Sequence, residues 1–256
     1  ARRRLIAGMW LIFICLCIVL AGILAFQFFF REEHRAAEYE LSHYNQAVSD
    51  HTFLSADLCV VSENIDLPSS PDASTFKAAG FFDLSDKKVC YARNVHEQVY
   101  PASTTKVMTA LVALQNGNLD DVVTVSANAA NRASDESVCD LKEGDQLTLE
   151  DLLIGLLLQS GNDNAVAIAE HIGGSVEDFV EMMNQKAKKL GCTHTHFVNA
   201  SGLPDENHYS CAEDLAKIMR AGLKNARFRK VLETVSYTIP ATNLSAARPL
   251  HTHVPL

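Results

Sequence analysis

The chain has 256 residues, 48% hydrophobic and 21% charged, with 22 Lys+Arg against 31 Asp+Glu and a net charge of −9. This composition excludes a disordered or collagen-like chain and fits one large domain or two small ones. Arg2, Arg3 and Arg4 sit together at the N-terminus. The rest of the chain has no basic excess to neutralise phosphates, so no nucleic-acid partner is expected.

Leu5 to Phe26 is an uncharged run of 22 residues. As a helix it would span about 33 Å, enough for a hydrocarbon core of about 30 Å. It exceeds the apolar region of a simple signal peptide, about 7–15 residues, and no persuasive small-residue cleavage site follows. Residues 1–30 are therefore expected to form a single-pass signal-anchor helix, with the arginines cytoplasmic and the remainder outside the cell membrane. The alternative, a buried core helix, fits poorly because soluble helices are rarely apolar all round. Ala1 stands where an initiator Met is expected, so the expectation is that the sequence lacks its first residue or more.

Residues 31–58 are largely charged and polar and read as a juxtamembrane stalk; residues 59–256 read as the folded domain. Cys15 and Cys17 fall within the apolar run, leaving Cys59, Cys90, Cys139, Cys192 and Cys211 beyond it. Their wide spacing contains no C-x-x-C pair, which argues against a zinc ribbon, and their pairing is left open.

LPSSPD (67–72) reads as a loop, and 77–92 as two short strands around Ser85-Asp86. Thr104 to Gln115 is periodic at Val107, Met108, Leu111, Val112 and Leu114, stopping at Asn116-Gly117. Thr148 with Asp151 resembles a capping box opening LEDLLIGLLLQ, which is apolar nearly all round and should be deeply buried. Ser175 with Asp178 opens another helix, with Lys188, Lys189 and Gly191 suited to its end. Ser210 with Glu213 predicts a further capping box. A short helix at 226–233 and a strand at 234–239 follow. The order of elements predicts an α+β fold.

Two short patterns could carry chemistry. S-x-x-K occurs at Ser74/Lys77, Ser85/Lys88 and Ser103/Lys106; S-x-N occurs at Ser62/Asn64, Ser126/Asn128 and Ser160/Asn162. Ser85/Lys88 spans the hairpin turn, and Ser74/Lys77 leads into a strand, where residues three apart point to opposite faces. Ser103/Lys106 opens a helix, where i and i+3 share a face, so the amine can reach the hydroxyl. A first-turn serine also has a free N–H that can face an oxyanion. A lysine whose pKa burial lowers can serve as the base that a serine nucleophile needs. Ser160-Gly161-Asn162 links a buried helix to the next helix, where a polar tripeptide must find partners or face a cleft. Ser62 and Ser126 are expected simply to meet solvent.

PASTTKVMTALVAL (101–114) and LLIGLLLQSGNDNAVAIAEHIGGS (152–175) resemble the D-alanyl-D-alanine carboxypeptidases, the low-molecular-mass penicillin-binding proteins of serine peptidase family S11. THFVNASGLPDENHYSCAEDLAKIM (195–219) and TNLSAARPL (242–250) extend the resemblance. It implies a penicillin-binding-protein/β-lactamase-like transpeptidase fold, with an antiparallel sheet and a helical subdomain. It implies a serine-type carboxypeptidase that removes the terminal D-Ala from peptidoglycan stem peptides and binds β-lactam antibiotics. Ser103 would be the nucleophile and Lys106 its base. Ser160 would pass a proton to the leaving amine, with Lys106 nearby. Asn162 would bind the substrate amide and help hold Lys106. No metal or cofactor is implied.

The resemblance also implies a third motif, K-T-G, on a strand lining the site. No K-T-G occurs in the 256 residues. The expectation is a catalytic domain truncated before that strand, with an incomplete sheet. The alternatives are a non-catalytic wall-binding or penicillin-sequestering protein, or a β-lactamase of the same superfamily. The H-T-H pairs His194/His196 and His251/His253 could chelate a metal on strands, but surface or hydrogen-bonded histidines are the expected reading. Asp135-Glu136 with Asp140 reads as a solvated loop, with the rim of the cleft as the alternative.

Overall fold

A computed structural model describes residues 64–67, 76–83 and 88–252. The expected anchor and stalk, together with Ser62, Ser74 and Ser85, lie outside the described residues. Among the described residues, no helix is long and apolar enough to cross a membrane.

The first two strands, β1 (Ala79–Asp83) and β2 (Lys88–Arg93), pair antiparallel, with Phe81 opposite Tyr91. A 3-10 turn, Ala102–Thr104, then leads directly into α1 (Thr105–Asn116). β3 (Val122–Thr124) pairs with β4 (Gln146–Thr148), enclosing the short α2 (Ala127–Ala130). The helical body is completed by α3 (Leu149–Leu158), α4 (Asn162–Gly173), α5 (Val176–Lys189), α6 (Ala212–Leu223) and α7 (Ala226–Leu232). β5 (Ser236–Ile239) and β6 (Arg248–His251) form the last antiparallel pair.

α1 lies at the centre of this body, packed by α3, α4, α5, α6 and α7. Its buried residues therefore run in one block, Met108 to Ala113, instead of a narrow stripe. α3 is likewise buried almost throughout. Burying a Leu or Met side chain stabilises by roughly 1.5–3 kcal/mol relative to exposure, so this core fixes the start of α1 firmly.

The helix ends largely follow the sequence signals. Thr148 Oγ1 accepts the Asp151 N–H at 3.1 Å and Asp151 accepts the Thr148 N–H at 3.4 Å, a reciprocal capping box. Ser175 Oγ accepts the Asp178 N–H at 3.0 Å. Gly191, with φ +71°, follows the end of α5 as expected. The cap expected at Ser210 is displaced by one residue: Cys211 Sγ accepts the Asp214 N–H. Ser210 is committed elsewhere, its backbone paired with Val99 and its hydroxyl bonded to Thr195. Glu213 instead pairs with Lys217 at 2.8 Å.

The expected antiparallel sheet exists among the described residues only as three two-stranded sheets. β5 and β6 pack on α3, whereas β1 meets α6, so the two outer hairpins are anchored to different helices. Buried Asp145 ties the last hairpin to the body. It accepts from Thr242 Oγ1 at 2.5 Å, Ser245 Oγ at 3.1 Å and Arg248 at 2.5 Å.

Candidate active site

Ser103 sits exposed in the 3-10 turn, and Lys106 follows in the first turn of α1. The Lys106 ammonium donates to Ser103 Oγ at 3.2 Å and to the Ser201 carbonyl at 2.7 Å. Lys106 is only 2% exposed. Burial lowers its pKa to about 8, while the carboxylates of Glu136 and Asp163 act in the opposite direction. A lysine at that value supplies neutral amine near neutral pH, where an ordinary lysine, near 10.4, does not.

The Ser201 carbonyl is presented by an asparagine-centred turn. Asn199 Oδ1 accepts the N–H groups of Ser201 (3.2 Å), Gly202 (2.7 Å) and Leu203 (3.2 Å). Gly202 has φ +90°, and a Cβ there would lie 1.8 Å from the Ala102 carbonyl oxygen. Only glycine allows this close approach. Ala102 itself has φ +49°, an uncommon conformation for a residue with a Cβ. The turn bearing Ser103 thus rests directly on the turn that holds Lys106. On the neighbouring side, Thr105 Oγ1 bonds buried His208 Nε2 at 2.8 Å. His208 Nδ1 accepts the Val198 N–H at 3.1 Å, which requires a neutral ring carrying its proton on Nε2. Burial lowers the His208 pKa in the same sense.

Ser160 lies between α3 and α4 with φ +59°, and its buried hydroxyl has no hydrogen-bond partner. A strained backbone and an unsatisfied buried hydroxyl are both disfavoured, and such features cluster at functional sites. Asn162 is buried at the start of α4; its Nδ2 donates to Glu136 Oε2 at 2.8 Å and its N–H to the Ser137 carbonyl at 2.7 Å. Beside it, buried Asp163 accepts from the N–H groups of Cys139, Leu141 and Asn164, clamping the 139–141 segment to α4.

The structure brings Ser103 and Lys106 together as the helical spacing predicts. Asn162 gives its amide nitrogen to Glu136, while Lys106 is bonded to Ser103 Oγ and the Ser201 carbonyl. The structure corrects the reading of the acidic segment. Asp135 and Asp140 are exposed, but Glu136 is half-buried and acts on both Asn162 and Lys106. Ser126 is not merely solvated: it caps α2 and donates to Glu170. A backbone carbonyl such as Ser201 leaves no side-chain signal in sequence. Asn199 and Gly202, within N-A-S-G-L, carry turn chemistry that could have marked the loop.

Ligand atoms of His194, Cys211 and Asp214 lie within 4.8 Å of one another. Their chemistry does not suit a metal. Asp214 already accepts from the His194 N–H, Thr195 Oγ1 and the Lys217 ammonium at 2.8–3.0 Å. Burial also raises the Cys211 thiol to about 11. His196 accordingly spends Nδ1 on the Asn207 carbonyl.

The segments that carry Ser103, Lys106 and Ser160 fall within a region that matches a known family. Residues 67–246 match the family described as D-alanyl-D-alanine carboxypeptidase, peptidase family S11, and the chain belongs to that family. It is 40% identical over 163 residues to the D-alanyl-D-alanine carboxypeptidase DacF of Bacillus subtilis, covering 62% of this chain and 41% of that protein. It is 37% identical over 182 residues to DacB2 of Mycobacterium tuberculosis, covering 70% and 60%. Among solved structures, a D-alanyl-D-alanine carboxypeptidase from M. tuberculosis matches with TM-score 0.66 and 31% identity, covering 75% of this chain and 70% of that one. A variant of the Streptomyces K15 DD-transpeptidase matches with TM-score 0.65 and 32% identity, covering 69% and 73%. The chain spans 41% and 43% of the length of two curated relatives, B. subtilis DacF and Escherichia coli DacD.

Proposed function

We propose that this chain carries the acylating centre of a serine-type D-alanyl-D-alanine carboxypeptidase acting on peptidoglycan stem peptides. The observation that carries this reading is the 3.2 Å contact between Lys106 Nζ and Ser103 Oγ in a buried setting that lowers the lysine pKa to about 8. Family membership supplies the substrate class.

In this mechanism neutral Lys106 takes the Ser103 proton as Oγ attacks the carbonyl of the penultimate D-Ala. The Ser103 N–H, in the first turn, stabilises the oxyanion. The Ser160 hydroxyl carries a proton toward the departing D-Ala amine; a buried hydroxyl without a partner in the protein suits a group that bonds substrate. Asn162 accepts the substrate amide. Water then releases the acyl group from Ser103. β-Lactam antibiotics acylate Ser103 by the same attack. The apolar run at 5–26 anchors the protein in the cell membrane, with the site on the extracytoplasmic face.

The direct test is D-Ala release from a synthetic peptide ending in D-Ala-D-Ala. The whole chain should release D-Ala, and Ser103→Ala should release none. Equal release by both proteins would overturn the assignment of the nucleophile.

A further inference from the structure

We propose that His208 is a positioning residue of this site: its neutral imidazole ties the first turn of α1 to the segment that presents the Ser201 carbonyl, and protonation of the ring in acid breaks that tie. The inference rests on the reading of Ser103 and Lys106 as the acylating pair.

Three observations carry it. First, both ring nitrogens are committed to fixed partners. A backbone N–H can only donate, so Nδ1, which faces the Val198 N–H at 3.1 Å, must accept. The ring proton is then on Nε2, which donates to Thr105 Oγ1 at 2.8 Å. A protonated ring carries an N–H on both nitrogens. Nδ1–H would then face the Val198 N–H, donor against donor, and that bond is lost.

Second, the two partners lie on the two pieces that acylation needs in register. Thr105 stands between Ser103 and Lys106, at the start of α1. Val198 leads into Ser201, whose carbonyl accepts the Lys106 ammonium at 2.7 Å. Other bonds fix the same segment further from the reacting atoms. Thr109 Oγ1, deeper in α1, donates to the Ala200 carbonyl at 2.7 Å. Asn184 of α5 bonds both backbone groups of Phe197 at 2.8 Å. His208 adds the link to the first turn of α1, beside Ser103 itself.

Third, the surroundings favour the neutral ring. His208 is 1% exposed, and Thr105 is fully buried. The Phe197 ring meets the imidazole edge to face, with centroids 5.6 Å apart. The ring is thus faced by the Thr105 hydroxyl from α1 and by Phe197 and the Val198 N–H from the adjoining segment, all neutral. The titratable groups that act on it are Asp205, which favours the charged ring, and His196, which opposes it. Burial outweighs Asp205 and holds the pKa below the ordinary histidine value of about 6.5. The tie is therefore intact at neutral pH and is lost as pH falls through the His208 midpoint.

The test compares Ser103 acylation by benzylpenicillin in the whole chain and in His208→Gln from neutral pH into acid, beside 15N NMR of the His208 ring and of the Val198 amide. His208→Gln can keep one bond of the tie and does not titrate. At neutral pH it should acylate about tenfold more slowly than wild type, the effect of one lost hydrogen bond. That wild-type advantage should vanish as the His208 ring takes its proton, and the Val198 amide should shift with the same midpoint. A merely structural histidine would leave the ratio of the two rates constant. A constant ratio through the ring titration overturns the proposal, as do equal rates at neutral pH or a ring proton found on Nδ1. If His208→Gln loses the wild-type circular dichroism spectrum, Thr105→Val, which removes the other end of the tie at nearly constant size, faces the same outcomes. Failure of the underlying reading looks different: wild-type protein would then take no acyl group at any pH. The Val198 amide decides in that case, since an amide that does not titrate with the ring overturns the tie and one that does upholds it.

Discussion

Lys106 shows most plainly how a single side chain depends on its surroundings. On a solvated helix it would stay protonated and could only donate to Ser103. Buried beneath the 3-10 turn, it loses hydration faster than Glu136 and Asp163 restore its preference for charge, and its pKa falls to about 8. The neutral form, the one able to take a proton, grows as pH rises through that value. The acylation rate should therefore climb with pH to a midpoint near 8 and then level. Measured rates with a chromogenic β-lactam between neutral and alkaline pH check this; a rate that is flat across the interval contradicts it. Lys106→Ala should slow acylation by about 10²–10⁴-fold, the usual range for loss of a positioned proton acceptor.

At the scale of elements, the proposed site draws on a helix start, a helix junction and a loop. The helix start was legible in the sequence: Ser103 and Lys106 lie three apart where a periodic segment begins, and that context, not the spacing alone, forecasts the contact. The junction stood out too, because a polar tripeptide between two apolar helices has few places to go, and Ser160 there has a positive φ and a buried hydroxyl without a partner. The loop 199–203 was not, because its contribution is the Ser201 carbonyl, which every residue possesses. Glu136 was misread for a related reason. An acidic run resembles a solvated surface until the fold brings one member against Asn162. The cap of α6 moved from Ser210 to Cys211 because tertiary pairing with Val99 and Thr195 claimed the better capping residue.

The same contact between elements gives a sharp expectation for Gly202. Its substitution by Ala places a Cβ on the Ala102 carbonyl and strains a φ of +90°. Either the Ser103 turn or the Ser201 turn must shift. A displacement of about 1 Å at a reacting centre costs about 100-fold in rate, so Gly202→Ala should lower acylation by that order while the helical circular dichroism signal persists. Wild-type acylation by the variant would show that the two turns are not mechanically linked.

On the scale of the whole molecule, one buried carboxylate, Asp145, joins the last hairpin to the helical body alongside its packing on α3. Burial alone would raise the Asp145 pKa, but hydrogen bonds from Thr242, Lys142 and Arg248 and the Arg248 charge hold it below the usual carboxylate range. A depressed pKa in the folded state means that Asp145 contributes stability above its unfolded value, about 3.9. That contribution is lost as pH falls through the folded value. Asp145→Ala strands Arg248, of which 13% of the side chain is exposed, and should cost about 3–5 kcal/mol. Urea unfolding at neutral pH would show it, and the loss should shrink in strong acid, where the wild-type carboxylate is also protonated. An equal loss at both pH values would mean that packing, not charge, holds the hairpin.

The central claim is that Ser103 is a nucleophile activated within this chain. It is tested most directly by incubating the whole chain with benzylpenicillin, weighing the intact protein and mapping the modified peptide. The account predicts one added penicilloyl group on Ser103, absent from Ser103→Ala and greatly slowed in Lys106→Ala. Folded protein that gains no mass, or gains it on a residue other than Ser103, would contradict it.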